Sequence, residues 1–279
     1  MKAEPIGVSN LSKVFYTSEG HSQVAIEQLN FNVSSGETIA IVGRTGCGKS
    51  TFLNLLVGLD TPTEGRIDIG GKTPYGDFND MRGKMAVVFQ QDRLLPWRSA
   101  IDNVTLGLET LGIGRREQLE IAKYWLRRLG LGSHLNNFPH QLSGGMRQRV
   151  AIARAFAIRP AILVADEAFG HLDEATAKLL RAVFSELIRE EGNTGVVVTH
   201  QLEEAIEIGD RVIVFAKPAR VRADFSTRSI SSAESHELRQ ELQRLLNEDI
   251  EAEHGSNAVN KNTRAEKLAA SGTLRPLEG

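Results

Sequence analysis

Ile39-Ala40-Ile41-Val42-Gly43-Arg44-Thr45-Gly46-Cys47-Gly48-Lys49-Ser50-Thr51 runs from an apolar stretch into a glycine-rich turn closed by Lys-Ser-Thr. Ile39 to Val42 suit a buried strand, and Phe52, Leu53, Leu55 and Leu56 supply the apolar face of a helix beginning near Lys49. The turn therefore joins strand to helix, the setting in which G-x-x-x-x-G-K-[ST] cradles nucleotide phosphates. Gly43, Gly46 and Gly48 let the backbone wrap closely, so that successive N–H groups and the helix N-terminus point at phosphate oxygens. Lys49 adds a point charge for the β- and γ-phosphates, and the Ser50 hydroxyl is a candidate Mg²⁺ ligand. The nucleotide-binding stretch is Gly43, Arg44, Thr45, Gly46, Cys47, Gly48, Lys49, Ser50 and Thr51.

The bulk properties narrow the class. A chain of 279 residues, 41% hydrophobic and 24% charged, has the composition of a soluble globular protein with a sizeable core. Its net charge of −2 argues against nucleic acid as a partner. The single cysteine, Cys47, rules out an intrachain disulfide or a Cys-rich metal site and fits a reducing cytosol. No apolar run approaches the roughly 18 residues of a membrane span, and Met1-Lys2-Ala3-Glu4-Pro5 lacks the apolar core of a secretory signal. Action at a membrane is expected to go through another chain.

Upstream of the cradle, Ile6 to Leu11, Val24 to Ile26 and Leu29 to Val33 suggest antiparallel strands. Phe15-Tyr16 lies between the first two, and serves either as ordinary strand packing or as a platform for stacking a base. Downstream, Arg66 to Ile69 and Met85 to Phe89 read as strands, the second ending at Gln90. From Leu94 to about Gly132 the apolar spacing turns helical, which marks a helical insertion, and His140 to Gly145 form a polar turn before a helix from Met146 to Ile158. Ala161 to Ala165 and Gly195 to Thr199 look like buried strands flanking a helix near Ala175 to Glu191, a pattern that favours a parallel sheet. Arg211 to Phe215 is a further strand. Leu238, Leu242, Leu245 and Leu246 stripe a late helix, and residues 251–279 are aperiodic and polar, which predicts a disordered tail.

Asp166 and Glu167 fall where a buried strand ends, the side from which ligands approach an open parallel sheet. Adjacent carboxylates alternate across a strand, so they take different work. Asp166 is the candidate for holding Mg²⁺ beside Ser50, and Glu167 for polarising an attacking water. His200, at the end of the next strand, is a candidate γ-phosphate contact. Gln90, also at a strand end, is an amide able to contact both Mg²⁺ or its waters and the helical insertion.

With these motifs in place, residues 6 to 216 resemble the ATPase subunits of ATP-binding cassette transporters. The most specific element is Leu142-Ser143-Gly144-Gly145-Met146-Arg147-Gln148-Arg149, which is similar to the cassette signature. The phosphate loop, Gln90, the signature, Asp166-Glu167, Asp173 and His200 follow in the family's order. The resemblance implies an α/β fold: a P-loop NTPase cassette with a mainly parallel central sheet, an antiparallel β subdomain and a helical signature subdomain. It gives boundaries of 6–250 for the ATPase domain, with the helical part at about 94–155. It also implies catalytic roles for Glu167, His200 and Gln90, and Mg²⁺ held by Ser50, Gln90 and Asp166. Phe15 is the implied adenine-stacking aromatic, with Tyr16 its alternative. Leu142, Ser143, Gly144, Gly145 and Met146 form a second phosphate cradle at a helix N-terminus, which in this family meets ATP bound to the other subunit of a head-to-tail dimer. Asp173 sits in the loop that crosses that interface.

The implied partners are a second ATPase subunit, transmembrane permease subunits and, indirectly, a solute-binding protein; the implied location is the cytoplasmic face of the plasma membrane. Within the family, Val88 to Arg98 with Asp102-Asn103-Val104 is similar to importers of nitrate, sulfonates and taurine, chiefly through Leu95-Pro96-Trp97. A driver of export or lipid movement is the first alternative, and a non-transport ATPase acting on DNA or the ribosome the second. Departures from the family pattern are Ala168 in place of proline, His171 in place of a small residue, and Gln201 in place of aspartate. None deletes a catalytic group.

Overall fold

Residues 2–16, 21–231 and 233–248 are described in a computed structural model of the chain. The elements are β1 (Ile6–Tyr16), β2 (Ser22–Val33), β3 (Thr38–Gly43), α1 (Lys49–Leu56), β4 (Glu64–Ile69), β5 (Met85–Phe89), α2 (Ala100–Thr110), α3 (Arg115–Arg128), α4 (Gly144–Ala157), β6 (Ile162–Asp166), α5 (Glu174–Glu191), β7 (Thr194–Thr199), α6 (Leu202–Ile208), β8 (Arg211–Ala216) and β9 (Arg220–Ser226). A last helix covers residues 233–248.

β3 is the middle of the molecule. Its alternating side chains feed two cores: Ile39 and Ile41 face one side of the central sheet, Ala40 and Val42 the other. The first side packs against α1 and against an antiparallel sheet ordered β2-β1-β4, with Phe31, Phe52 and Phe215 in mutual ring contact at 5.5 to 6.2 Å. The second side is covered by α4, α5 and α6, onto which the helical layer α2 and α3 and Leu242 of the last helix pack. Ring contacts run from Trp125 through Phe156 and Phe184 to Phe169, linking that layer to the turn after β6.

The central sheet is ordered β5-β6-β7-β3-β8-β9, parallel except for β9. Parallel strands bring their C-terminal ends to one edge. Gly43, Gln90, Asp166-Glu167, His200 and Lys217 therefore share one rim.

Several boundaries differ from those read in the sequence. Phe15 and Tyr16 are the end of β1, paired with Gln23 and Ser22, rather than a link between strands. Residues 94–99 are not helical: buried Asn103 accepts from the Leu95 N–H and donates to the carbonyls of Leu95, Arg98 and Ser99, which holds that segment as a loop until Ser99 caps α2. α6 and β9 have no counterpart in the sequence reading. The tail expected to be disordered, and Ser18 to Gly20 before β2, lie outside the described residues.

Candidate nucleotide site

Gly48 shows why the loop needs glycine. Its φ is +111°, and a Cβ there would sit 2.5 Å from the Ala25 carbonyl oxygen. This close approach lets the loop tuck beneath β2 and turn straight into α1. Lys49, almost fully buried, folds its ammonium back onto the Gly43 and Arg44 carbonyls at 2.5 and 3.0 Å. A phosphate oxygen arriving in the loop meets this cation already positioned, and competes with two carbonyls for it.

The loop floors a cleft of about 310 Å³ lined by Phe15, Gln23, Val24, Ala25, Thr45, Gly46, Gly48, Lys49, Ser50, Thr51, Asp166, Glu167, Val198 and Lys217. Phe15, with Lys13 Nζ 5.0 Å from its ring centroid, is 42% exposed at the cleft wall. Tyr16 is more exposed and is not among the lining residues. Of the two aromatics the cleft favours Phe15 for stacking.

The two carboxylates are treated differently by the fold. Asp166 is the last residue of β6, where burial and then the neighbouring Glu167 charge push its carboxyl above the usual range, opposed by Arg93 and Lys49. Glu167 leaves the strand with φ +48°, a conformation uncommon for a non-glycine residue, held by its N–H donating to the Val198 carbonyl at 2.8 Å. Its Oε1 lies 3.3 Å from His200 Nδ1. A crowded carboxylate beside the Ser50 hydroxyl is a hard-oxygen donor set, and it fits a Mg²⁺ ion that would relieve the repulsion.

Gln90 is exposed at the end of β5 and does not line the cleft. The loop it opens is bolted to α4. Arg147 Nε donates to Asp92 at 2.9 Å, and Arg154 donates to the Asp92 and Arg93 carbonyls at 2.7 and 2.8 Å. α4 is also the signature helix: Ser143 caps it by accepting from the Met146 N–H, and Gly144 and Gly145 form its first turn. A Cβ on Gly145 would meet Thr176 Cγ2 at 2.7 Å, so glycine is what allows the signature to lie against α5, whose own cap is Asp173. Residues 142–146 and Asp173 are not among the residues lining the phosphate cleft of their own chain. His171, between them and the acidic pair, is exposed.

Sequence reasoning assigned no role to three residues of consequence. Gln148 is buried in α4 and donates to the carbonyls of Phe89 (3.2 Å) and Ala168 (2.7 Å), which ties the signature helix to both the Gln90 strand end and the Glu167 turn. Ala168, in place of proline, is thus anchored through its carbonyl. Lys217 lines the cleft from the end of β8, and that strand end was the available signal. Glu204, buried in α6, had none.

The order of the sheet, the phosphate loop at the end of its middle strand and the acidic strand end beside it define a P-loop nucleotide hydrolase. A family model described as ABC transporter matches residues 26–170. The chain is 36% identical over 268 residues to a taurine import ATP-binding protein of Pseudomonas aeruginosa, covering 91% of this chain and 98% of that one. It is 42% identical over 214 residues to an aliphatic sulfonates import ATP-binding protein of Pseudomonas savastanoi pv. phaseolicola, covering 77% and 74%. A dimeric ATP-binding cassette solved in a post-hydrolysis state with ADP and Pi superposes with a TM-score of 0.71 at 34% identity, over 81% of this chain and all of that one. The chain belongs to the ABC transporter family, and it is an ATPase of that family.

Proposed function

We propose that the chain is the ATP-hydrolysing subunit of an import system that takes up a small anion of the taurine, sulfonate or nitrate kind through a separate membrane permease. The observation that carries this reading is the separation of two phosphate cradles. One, at the end of β3, opens into a cleft with the acidic pair, and the other, at the start of α4, lies outside that cleft. Two copies arranged head to tail make each site whole. The relatives' import functions and the dimeric state of the similar cassette support that arrangement.

In this reading Phe15 stacks on adenine, the amides of residues 43–51 and Lys49 bind phosphates, and Ser50 and Asp166 would hold Mg²⁺, with Gln90 approaching the ion or its waters from outside the cleft when the dimer closes. The bound ion supplies charge neutralisation at the β- and γ-phosphates. Glu167 orients the attacking water and takes its proton, while His200, in contact with Glu167, senses the γ-phosphate. Ser143, Gly144 and Gly145 of the second subunit, flanked by Leu142 and Met146, close over the γ-phosphate, and Asp173 lies at the junction. Loss of that phosphate after hydrolysis removes the shared contacts and opens the dimer.

Residues 6–250 act as the cassette, with α2 to α4 its helical part. The Arg147 and Arg154 anchors give the Gln90 loop a rigid route to α4. Trp97, 71% exposed in the loop before α2, and Leu59, 73% exposed, offer apolar surface to the permease. No helix among the described residues is long and apolar enough to cross a membrane. The subunit works at the cytoplasmic face, and a solute-binding protein selects the solute elsewhere.

The test is purification of this protein from gently solubilised membranes of its own host. A polytopic membrane protein in stoichiometric amount is expected. Recovery with ribosomes or DNA and no permease would overturn transport, and a permease that loads vesicles outward would reverse its direction.

A further inference from the structure

Behind His200 lies a buried polar network that none of these roles uses. Glu204 on α6 is fully buried, and its Oε2 accepts from Thr199 Oγ1 at 3.0 Å. The same Oγ1 accepts from the Gln201 N–H, also at 3.0 Å. Thr199 and Gln201 are the residues on either side of His200, so one hydroxyl ties both flanks of the histidine, and a carboxylate orients that hydroxyl. The imidazole has no comparable support of its own. The His200 side chain is 54% exposed, and its ring contact is with Glu167. Its position is therefore set by its backbone.

The network continues into α5. Arg181, fully buried, pairs with Glu207 of α6 at 2.6 Å and with Glu174 at 2.8 Å, one residue after Asp173. Arg181, Glu167 and Glu207 are the charged groups acting on Glu204. The sides of β3 and β8 turned to the α6 core carry Ala40, Val42, Val212 and Val214, which offer it no polar partner. Two atoms of the network, Glu204 Oε1 and Arg181 Nη1, are buried without a hydrogen bond. A fold kept solely for stability gains little from such groups.

We propose that Glu204 is a positioning residue for the hydrolytic step: through Thr199 and the Gln201 amide it fixes the backbone that carries His200, with Arg181 anchoring the network to the helix that Asp173 begins. The inference rests on His200 as the γ-phosphate contact. Glu204 does not touch nucleotide. It acts by keeping the imidazole in reach of Glu167 and of the phosphate that bridges the two subunits.

The experiment is steady-state MgATP hydrolysis by the full chain carrying Thr199→Val, Thr199→Ser, His200→Ala, or Thr199→Val with His200→Ala, with nucleotide affinity measured in parallel. Thr199→Val, which keeps the shape and removes the hydroxyl, is expected to lower kcat about tenfold while KM for ATP moves less than about twofold. Thr199→Ser restores most of the loss. In the double variant the two losses do not multiply, because both act through one imidazole. Should Thr199→Val fail to fold, Thr199→Ala carries the same expectation. An unchanged kcat in the hydroxyl-free variant, or losses that multiply, overturns the role of Glu204 and Thr199 while leaving His200 in place. Full turnover by His200→Ala overturns both that assignment and the inference.

Discussion

Replacing Glu204 with glutamine separates the charge of this buried side chain from its hydrogen bond. In the native protein burial pushes the carboxyl from 4.5 up to about 7, against the opposing pull of the Thr199 hydroxyl and Arg181. Between those two values the folded chain keeps a proton that the unfolded chain has released. The stabilisation from this group is therefore complete below pH 4.5, declines as the pH rises, and is lost above about 7. At about 1.4 kcal/mol for each pH unit, the interval corresponds to about 3.5 kcal/mol, of which about 2.5 falls between pH 5 and pH 8. Glutamine does not titrate, and its carbonyl can accept from Thr199. Its amide nitrogen takes the place of Oε1, which has no partner, and adds a penalty of about 1–3 kcal/mol that is independent of pH. Urea unfolding of both proteins at pH 5, 6, 7 and 8 isolates the titration. Relative to the native protein, Glu204→Gln should gain about 2.5 kcal/mol across that range. Parallel stability profiles would refute a neutral-range ionisation at Glu204.

Gln148→Met keeps the length of a fully buried side chain but removes its donations to the Phe89 and Ala168 carbonyls; thermal or urea unfolding should show a loss of about 1–3 kcal/mol, with hydrolysis reduced more than nucleotide binding. Native stability and turnover would deny it the bracing role. Gly48→Ala forces a Cβ to 2.5 Å from the Ala25 carbonyl at φ +111°; titration with a fluorescent ATP analogue should show affinity reduced about 5- to 150-fold, from a strain of about 1–3 kcal/mol. Unaltered affinity would mean the loop does not bind phosphate in this conformation.

The centre of the fold was legible because its signals are local. A glycine turn between an apolar run and an amphipathic helix admits few readings, and short apolar strands alternating with helices fix a parallel sheet whose edge collects Gly43, Asp166 and His200. What escaped depends on partners distant in sequence. β9, with Arg220, Arg222 and Asp224 in seven residues, becomes a strand by pairing with β8, and Asp224 there accepts from Arg211. α6 is too short for periodicity to show, and its Glu204 looks like any acidic residue in a first helical turn until Thr199 is beside it. The helical insertion starts later than the spacing from Leu94 onward predicts, because Asn103 holds residues 95–99 as a loop. In the site, the placement of the phosphate loop and the acidic pair at strand ends could be read directly, but the tie from the signature helix to both strand ends runs through Gln148, whose place in the signature motif does not reveal the Phe89 and Ala168 carbonyls it holds.

The central claim is that ATP joins two copies of this chain through cradles that do not share a cleft within one. Sedimentation of the Glu167→Gln variant in MgATP tests it most directly, since retaining the nucleotide while removing the group proposed to activate water should hold the closed state. The account predicts a dimer in MgATP and a monomer in MgADP, with the dimer lost when Ser143→Arg is added to block the second cradle. A Glu167→Gln protein that stays monomeric in saturating MgATP, or whose dimer survives the Ser143 change, would contradict it.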